Sequence, residues 1–456
     1  MADRFAIILA AGKGTRMKSP RPKVLHEIGG RPMLAWSVAL AKSLGCTRSV
    51  VVVGPDMPAL SEAAAKLVGA ENVVVQREQL GTANAVDAAR DALKGAEGQA
   101  IVLYADTPLV PKDAGERAFA EIDKGASVCV LGFNAQLPNR YGRLVTAKDG
   151  SLEAIVEAND ATEAQLNIAL ANSGVMAAPV KLLFDLLKDV KNDNAKGEFY
   201  LTDLVELARG RRLKAAVAHC DEQDVLGVNS QAELAGIERI FQQSVRERLM
   251  AEGVTMPAPE TVFFGHDTKI AAGVTIEQNV VFATGVSVES GATIRAFSHL
   301  EGAKVGVGAQ VGPYARLRPG AVIGRDAHIG NFVEVKNVTV GEGAKANHLS
   351  YLGDGEVGAG ANIGAGTIFC NYDGFFKYRT VVGEGAFIGS NASLVAPVKI
   401  GAGGYVGSGS VIVDDVSADA LAIARGRQAG KDGWAKAFRA EKSAAKKAGK
   451  KPDGAV

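Results

Sequence analysis

Residues 303–335 read AKVGVGAQVGPYARLRPGAVIGRDAHIGNFVEV, and an aliphatic side chain returns at every sixth place: Val305, Val311, Leu317, Ile323, Ile329 and Val335. Two places before most of these sits a small residue, in the run Ala303, Ala309, Ala315, Ala321 and Ala327. Glycine often follows, as at Gly306, Gly312, Gly324 and Gly330. The same period runs upstream through Ile270, Ile276, Phe282, Val288, Ile294 and Leu300, where the register slips by one place. Downstream it reads Val382, Ile388, Leu394, Ile400, Val406 and Ile412. A period of six matches neither a helix of 3.6 residues per turn nor a strand that alternates in twos. Short strands joined by tight corners satisfy it, with one inward side chain per side and glycine where the backbone turns sharply.

This pattern resembles the hexapeptide-repeat family, which implies a left-handed parallel β-helix of triangular cross-section. Three hexapeptides to a coil give roughly eight coils. The repeat alone suits a rigid spacer as well as an acyltransferase. The period breaks between Lys336 and Val382, and function tends to gather where a repeat departs from its rule. There the segment KANHLSYLG, residues 345–353, carries His348, and the loop NYDGFFK, residues 371–377, is expected to interrupt the coils. An imidazole near neutrality can take a proton from an attacking amine. His299 and His328 lie in ordinary repeats, and His26, His219 and His266 lie in no chemical motif, so a structural role is expected for these five.

Outward from the coils, residues 230–251 place Leu234, Ile237, Phe241, Val245 and Leu249 on one helical stripe. A rigid connector is expected there, with Pro257-Ala258-Pro259 marking entry to a coil domain over 252–430. Residues 1–229 read as an α/β domain. Strand candidates are Phe5–Leu9, Ser49–Val53, Asn72–Val75, Ala100–Tyr104 and Ser127–Phe133, with helix-like stretches at Met33–Leu44 and Ala83–Leu93. That alternation implies a mainly parallel sheet. The end, residues 431–456, is rich in lysine (Lys442, Lys446, Lys447, Lys450, Lys451) and is expected to be a solvated tail without order.

The chain of 456 residues is long enough for more than one domain, and 47% hydrophobic content supplies large cores. Lys+Arg number 51 against Asp+Glu 50, which argues against a nucleic-acid or membrane surface. Cys46, Cys129, Cys220 and Cys370 are scattered without metal-like pairing, which favours a reducing compartment. The apolar run from Phe5 to Ala11 is too short for a signal segment or a membrane span. A cytoplasmic protein is expected.

In parallel α/β sheets ligands sit at the carboxyl ends of strands, so the informative residues should lie just after them. LAAGKGTRM, residues 9–17, follows the first strand, with two glycines for close phosphate approach and the charges of Lys13 and Arg16. It is not a Walker loop, and Met17 stands where the dinucleotide fingerprint needs its third glycine. LYADTPL, residues 103–109, ends another strand and offers Asp106; magnesium takes one or two carboxylates beside substrate phosphates. Gln76 and the Gln79-Leu80-Gly81-Thr82 segment supply amides suited to a uracil edge, or simply a helix cap. With Pro20-Arg21-Pro22-Lys23, these segments resemble the nucleotidyltransferase signature of sugar-nucleotide pyrophosphorylases.

Taken over nearly its whole length, the chain resembles the family of bacterial bifunctional N-acetylglucosamine-1-phosphate uridylyltransferases and glucosamine-1-phosphate N-acetyltransferases. The resemblance implies that Leu9, Ala10, Ala11, Gly12, Lys23, Gln76, Gly81, Thr82, Tyr104, Ala105 and Asp106 line a uridine nucleotide site. It places the sugar against Gly142, Glu157 and Asn172, and magnesium on Asp106 and Asn229. Arg16 and Lys23 would offset charge on the reacting phosphates. In the coil domain it implies His348 as general base, Arg318 and Lys336 on the sugar phosphate, and Tyr351 and Asn362 on the sugar. Acetyl-CoA would meet Ala365, Asn371, Tyr372, Ser390, Ser408 and Arg425.

The substrates so implied are glucosamine-1-phosphate, acetyl-CoA and UTP, and the product UDP-N-acetylglucosamine is a cell-envelope precursor. A homotrimer is implied too, with Arg425 on a segment that could reach an adjacent subunit. The alternatives are a single-activity pyrophosphorylase with a structural or regulatory coil domain, and a non-enzymatic assembly protein.

Overall fold

The computed structural model describes residues 3–194 and 196–449 and divides into two compact units, Met1–Ala303 and Lys304–Val456. The first unit is built on a twisted sheet in the order Ala215–His219, Val128–Asn134, Leu170–Pro179, Gln99–Tyr104, Arg4–Leu9, Arg48–Val53, Val73–Val75. Leu170–Pro179 runs antiparallel to both neighbours, and the other pairs along this path are parallel. The valine run Arg48–Val53 shows why the sheet is covered on both sides. Val51 and Val53 enter one core cluster, while Val50 and Val52 enter the other. Burying each such side chain is worth about 1.5–3 kcal/mol.

The five expected strands are present, with ends shifted by a residue at most, and the helix Met33–Ser43 matches its expected span. The second helix is shorter than expected, Thr82–Asp87. Beyond it Ala89 and Arg90 donate to carbonyls three residues back, and Arg90 is drawn towards Asp87 and the Phe184 carbonyl.

The connector is the helix Gln231–Ala251, whose first turn is capped by the Ser230 hydroxyl accepting from the Glu233 N–H. Ile237, Phe241, Val245 and Leu249 are buried along the expected stripe, and Leu234 only partly. Gln242 and Arg246 are buried as well. Gln242 exchanges hydrogen bonds with the Phe264 backbone, and Arg246 donates to the Val262 carbonyl. On its other side the helix accepts from Gly29 N–H through Glu238 and donates to the Met17 carbonyl through Gln231. Packing therefore continues past residue 252 into the first coils. There Phe263–Phe264, Val281–Phe282 and His299–Leu300 form a parallel ladder with steps of eighteen residues.

The second unit continues the repeat in its own ladders. Lys304–Val305 pairs with Val322–Ile323, Gln310–Val311 with His328–Ile329, and Arg316–Leu317 with Glu334–Val335, always eighteen residues on. Every hydrophobic position of the six-residue repeat named above is buried, from Ile270 to Ile412. The break in the period is a change of step rather than an end to the coils. Val322 pairs with Thr339, and Lys345 with Asn362, each seventeen residues on. Asn362 then pairs with Phe387, and Ile368 with Ser393, each twenty-five on. Val340, Ala346, Leu352, Val357, Ile363 and Phe369 keep the interior filled throughout. The loop over 371–377 is thus an outward excursion, because a parallel ladder needs only one inward residue per side and tolerates extra chain at a corner.

One expectation about the end of the chain is corrected, and the last coil gains a strand. Leu421–Ala422 adds to Tyr405–Val406 as a further parallel pair, and Arg425 donates to the Ser408 carbonyl at 2.7 Å. The segment thus adds to the last coil, whose open edge offers backbone partners. The tail expected to lack order contains the helix Trp434–Lys447, exposed along nearly its whole length. Alanine and lysine are strong helix formers, and Trp434 and Phe438, one turn apart, stack at 4.9 Å. Lys450 and Lys451 lie outside the described residues. Among the described residues no helix is long and apolar enough to cross a membrane.

Candidate active sites

The first unit gathers its motifs at the carboxyl ends of Arg4–Leu9, Val73–Val75 and Gln99–Tyr104. They line one cavity of about 320 Å³, walled by Leu9, Ala10, Ala11, Gly12, Lys23, Gln76, Gly81, Thr82, Tyr104 and Asp106. Lys13, Val24, Gln79, Ala85 and Glu198 line it too. Lys23 Nζ donates to Asp106 Oδ2 at 2.5 Å and to Asn229 Oδ1 at 3.2 Å. Two hard oxygens thus converge on one positive charge, the donor chemistry a magnesium ion takes. Asn229 is held there from behind: its N–H donates to Glu233, and Val228 N–H donates to the Asp106 carbonyl. Arg16 stands exposed on the short turn Thr15–Met17 and is not among the residues lining the cavity.

Gln76 is buried and spends its amide N–H groups on the Gly81 carbonyl and Asn84. Its side-chain oxygen is the part left to accept from a base. Gln79 reaches back to the Ala11 carbonyl and fixes the glycine loop. The Tyr104 hydroxyl is pushed up by burial, then by the charge of Asp106, so it stays protonated.

Gly142, Glu157 and Asn172, separate in sequence, meet in space. A Cβ on Gly142 would lie 3.6 Å from Glu157 Oε1 and 3.7 Å from Asn172 Cβ. Asn172 N–H donates to the Gly142 carbonyl. The pairing of Leu170–Pro179 with Val128–Asn134 shifts register just after Asn172. Within that irregularity Gly174 has φ 90°, and a Cβ there would come within 2.8 Å of the Tyr104 ring. The glycine lets the Asn172 segment and Tyr104 close on each other. Burial raises the Glu157 carboxyl, against the pull of Lys196. Burial, then Glu206 and Glu157, pushes Asp203 up to about 6.

The second unit brings its candidates into one column and one cluster. His348, Ala365, Ser390 and Ser408 each stand two places after an inward residue, at Ala346, Ile363, Ile388 and Val406, and those four pair in sequence. Backbone bonds run down the same corner, from Gly366 N–H to His348, Asn391 N–H to Ala365 and Gly409 N–H to Ser390. Arg425 sits at the foot, on the Ser408 carbonyl. Asn362 stands on the same ladder, paired with Lys345 and Phe387.

The cluster centres on Asp354, a buried carboxylate that sequence reading did not single out. It accepts from Asn337 at 2.8 Å and Asn371 at 2.6 Å, and faces Lys336 Nζ at 3.6 Å. Burial alone would raise it; the two amides and the Lys336 charge hold it below the usual carboxylate range. A Cβ on Gly353 would meet both the Tyr351 hydroxyl and the Asn371 amide, so those groups share this spot. Lys377, on the exposed loop, meets Lys336, and that contact with a second ammonium pushes Lys377 down. Arg318 donates to Glu334 at 2.8 Å. Tyr372 points elsewhere, its hydroxyl on the Gly374 carbonyl and its ring exposed. The sequence alone gives Lys377 no role, because it stands in a loop without period.

Comparison with known proteins covers both units. Residues 6–191 match the MobA-like NTP transferase domain family, and residues 302–337 and 379–414 match the bacterial transferase hexapeptide (six repeats) family. The chain is 58% identical to the bifunctional protein GlmU of Caulobacter vibrioides, over 97% of this chain and 96% of that one. It is 59% identical to the protein of the same name from Hyphomonas neptunium, over 98% and 97%. The same-named protein of Maricaulis maris is 55% identical, over 97% and 98%.

Proposed function

This chain belongs to the family of the bifunctional protein GlmU, and from that membership we infer that it makes UDP-N-acetylglucosamine in two reactions. It acetylates glucosamine-1-phosphate with acetyl-CoA, and it transfers UMP from UTP to N-acetylglucosamine-1-phosphate with release of pyrophosphate. One observation carries the double assignment: the similarity to these relatives runs through both halves of the chain. A pyrophosphorylase with an idle coil domain would have no use for the His348 column and the Arg318, Lys336 and Lys377 cations.

For acetyl transfer, His348 takes a proton from the sugar amine as the nitrogen attacks the thioester carbonyl and the thiolate of coenzyme A leaves. Arg318, Lys336 and Lys377 hold the sugar phosphate by charge-assisted hydrogen bonds, and Tyr351 and Asn362 hold the sugar. Ala365, Ser390, Ser408 and Arg425 receive acetyl-CoA along the column, and Asn371 and Tyr372 meet it from outside the column.

For uridylyl transfer, the acceptor's phosphate oxygen attacks the α-phosphorus of UTP and pyrophosphate departs. Leu9, Ala10, Ala11, Gly12, Gln76, Gly81, Thr82, Tyr104 and Ala105 hold the nucleotide, while Gly142, Glu157 and Asn172 hold the sugar. Lys23 and Arg16 offset the charge on the phosphates. Magnesium, held by Asp106 and Asn229, would supply further positive charge there. Positioning and electrostatics suffice, so no protein nucleophile takes part.

A homotrimer in the cytoplasm completes the reading. Its support is an exposed apolar ladder at one corner of the second unit. Tyr314 and Phe332 stack at 5.2 Å, and Leu349 follows on the next coil. All three have left-handed φ, an unusual conformation for bulky residues, and a second copy could cover them. Four free cysteines fit a reducing compartment.

The test supplies glucosamine-1-phosphate, acetyl-CoA and UTP, and follows free thiol and pyrophosphate separately. Both should appear, with pyrophosphate dependent on prior acetylation. Pyrophosphate without thiol would leave only the single-activity reading.

A further inference from the structure

One polar contact in the second unit reaches the ring assigned to the proton transfer. His348 Nδ1 lies 2.8 Å from Asn331 Oδ1. An amide oxygen only accepts, so in this arrangement Nδ1 carries the proton and Nε2 keeps its lone pair. With the amide turned the other way its NH₂ would donate to Nδ1, and Nε2 would hold the proton and be useless as a base.

The backbone builds this contact. Asn331 and His348 are register partners on adjacent coils. Between them Gly330 sets the approach: a Cβ there would lie 2.0 Å from the Asn347 carbonyl oxygen. The His348 carbonyl accepts from the Ser350 hydroxyl at 2.9 Å and from Gly366 N–H at 3.3 Å. The main chain of His348 is thereby fixed, while its side chain is exposed. What remains free is rotation of the ring, and Asn331 is the group that restrains it. The nearest titratable groups on the same strand pair are His328 and Lys345, partners of each other three places back, and Tyr351 follows on the chain. The next coil lays Ala365 and Gly366 against His348 and brings no charge at that position.

We infer that Asn331 is a positioning residue for acetyl transfer, selecting the His348 tautomer whose Nε2 accepts the amine's proton and holding that nitrogen on aim. The inference rests on the reading of His348 as the general base.

The test uses the full chain with Asn331→Ala, Asn331→Asp and His348→Ala, measuring thiol release against substrate concentration and pH. Asn331→Ala should lower kcat for acetyl transfer roughly 10- to 100-fold, part of a general base's whole contribution. KM for both substrates should stay within about twofold, and uridylyl transfer should be unchanged. Asn331→Asp keeps the acceptor and adds a charge that favours imidazolium, so the acid limb of kcat/KM should move up by about half to one pH unit. Above that limb its activity should lie within about threefold of the parent.

If Asn331→Ala holds kcat within about threefold, or the acid limb of Asn331→Asp stays in place, the inference is overturned. Should Asn331→Ala fail to melt cooperatively, the isosteric Asn331→Asp decides alone. If His348→Ala is itself active within about threefold of the parent, the base assignment falls and takes this inference with it. If His348→Ala is inactive and the Asn331→Asp limb is unmoved, only the role of Asn331 is lost.

Discussion

Lys23 and Asp106 form an ion pair of 2.5 Å in the wall of the first unit's cavity, between side chains eighty-three residues apart in the chain. With Asn229 Oδ1 at 3.2 Å from the same ammonium, the pair marks where positive charge is wanted. Asp106→Ala removes the one carboxylate of that group. Pyrophosphate release should be lost while thiol release stays within about twofold of the parent. Comparable loss of both activities in a folded variant would contradict two separate centres.

His348→Ala should produce the opposite pattern. Removing a general base costs roughly 10²–10⁴-fold in rate. Acetyl transfer should fall within that range, and uridylyl transfer from pre-acetylated sugar phosphate should be unchanged. A fall smaller than about threefold would return His348 to a structural role.

Gly174→Ala tests the closure of the first unit around Tyr104. At φ 90° a side chain is strained, and its Cβ would press on the ring at 2.8 Å. The combined cost is about 1–3 kcal/mol. Thermal melting should show a lower Tm, together with weaker nucleotide binding. A variant melting with the parent and binding equally well would show that the ring yields freely.

Asp203 supplies a pH dependence whose sign can be worked out. Its folded-state value of about 6 lies above the ordinary 3.8. Its contribution to stability is therefore fully present below pH 3.8 and is lost as pH rises through 6. Asp203→Asn should accordingly raise Tm at pH 7.5, with the advantage fading towards pH 4. Since Asp203 is partly exposed, solvent screening limits the gain to about 1 kcal/mol, or a few degrees. An equal Tm difference at both pH values would rule out the titration as its cause.

Assembly can be tested at the exposed ladder. Phe332 is 55% exposed, more than its stacking partner Tyr314 at 46%, so Phe332→Glu disturbs a surface rather than a core. Sedimentation should give a trimer for the parent and a smaller species for the variant, with acetyl transfer reduced and uridylyl transfer kept. A monomeric parent would dismiss the trimer. An unaffected trimer would place its interface elsewhere.

The sequence by itself determined the inward positions of the six-residue repeat, and five strands of the α/β region with the motifs that follow them. The repeat positions from Ile270 to Val335 and from Val382 to Ile412 could be assigned inward because burial in a coil follows a local period. Leu9–Gly12, Gln76 and Asp106 could be found because each follows a readable strand. The tail helix Trp434–Lys447 was misread because an exposed helix without a buried face resembles a disordered segment in composition.

Only the tertiary structure decided which polar residues meet. Gly142, Glu157 and Asn172 converge because Arg143 pairs with both Ala171 and Val156, and nothing in their local sequences carries those pairings. Asp354 becomes the anchor of Lys336 and Asn371, and Asn331 comes to face His348, where the coil step changes to seventeen and then twenty-five residues. Apolar burial repeats with the backbone and can be read from it. A polar contact depends on the register between distant segments, which exists only once the chain has folded.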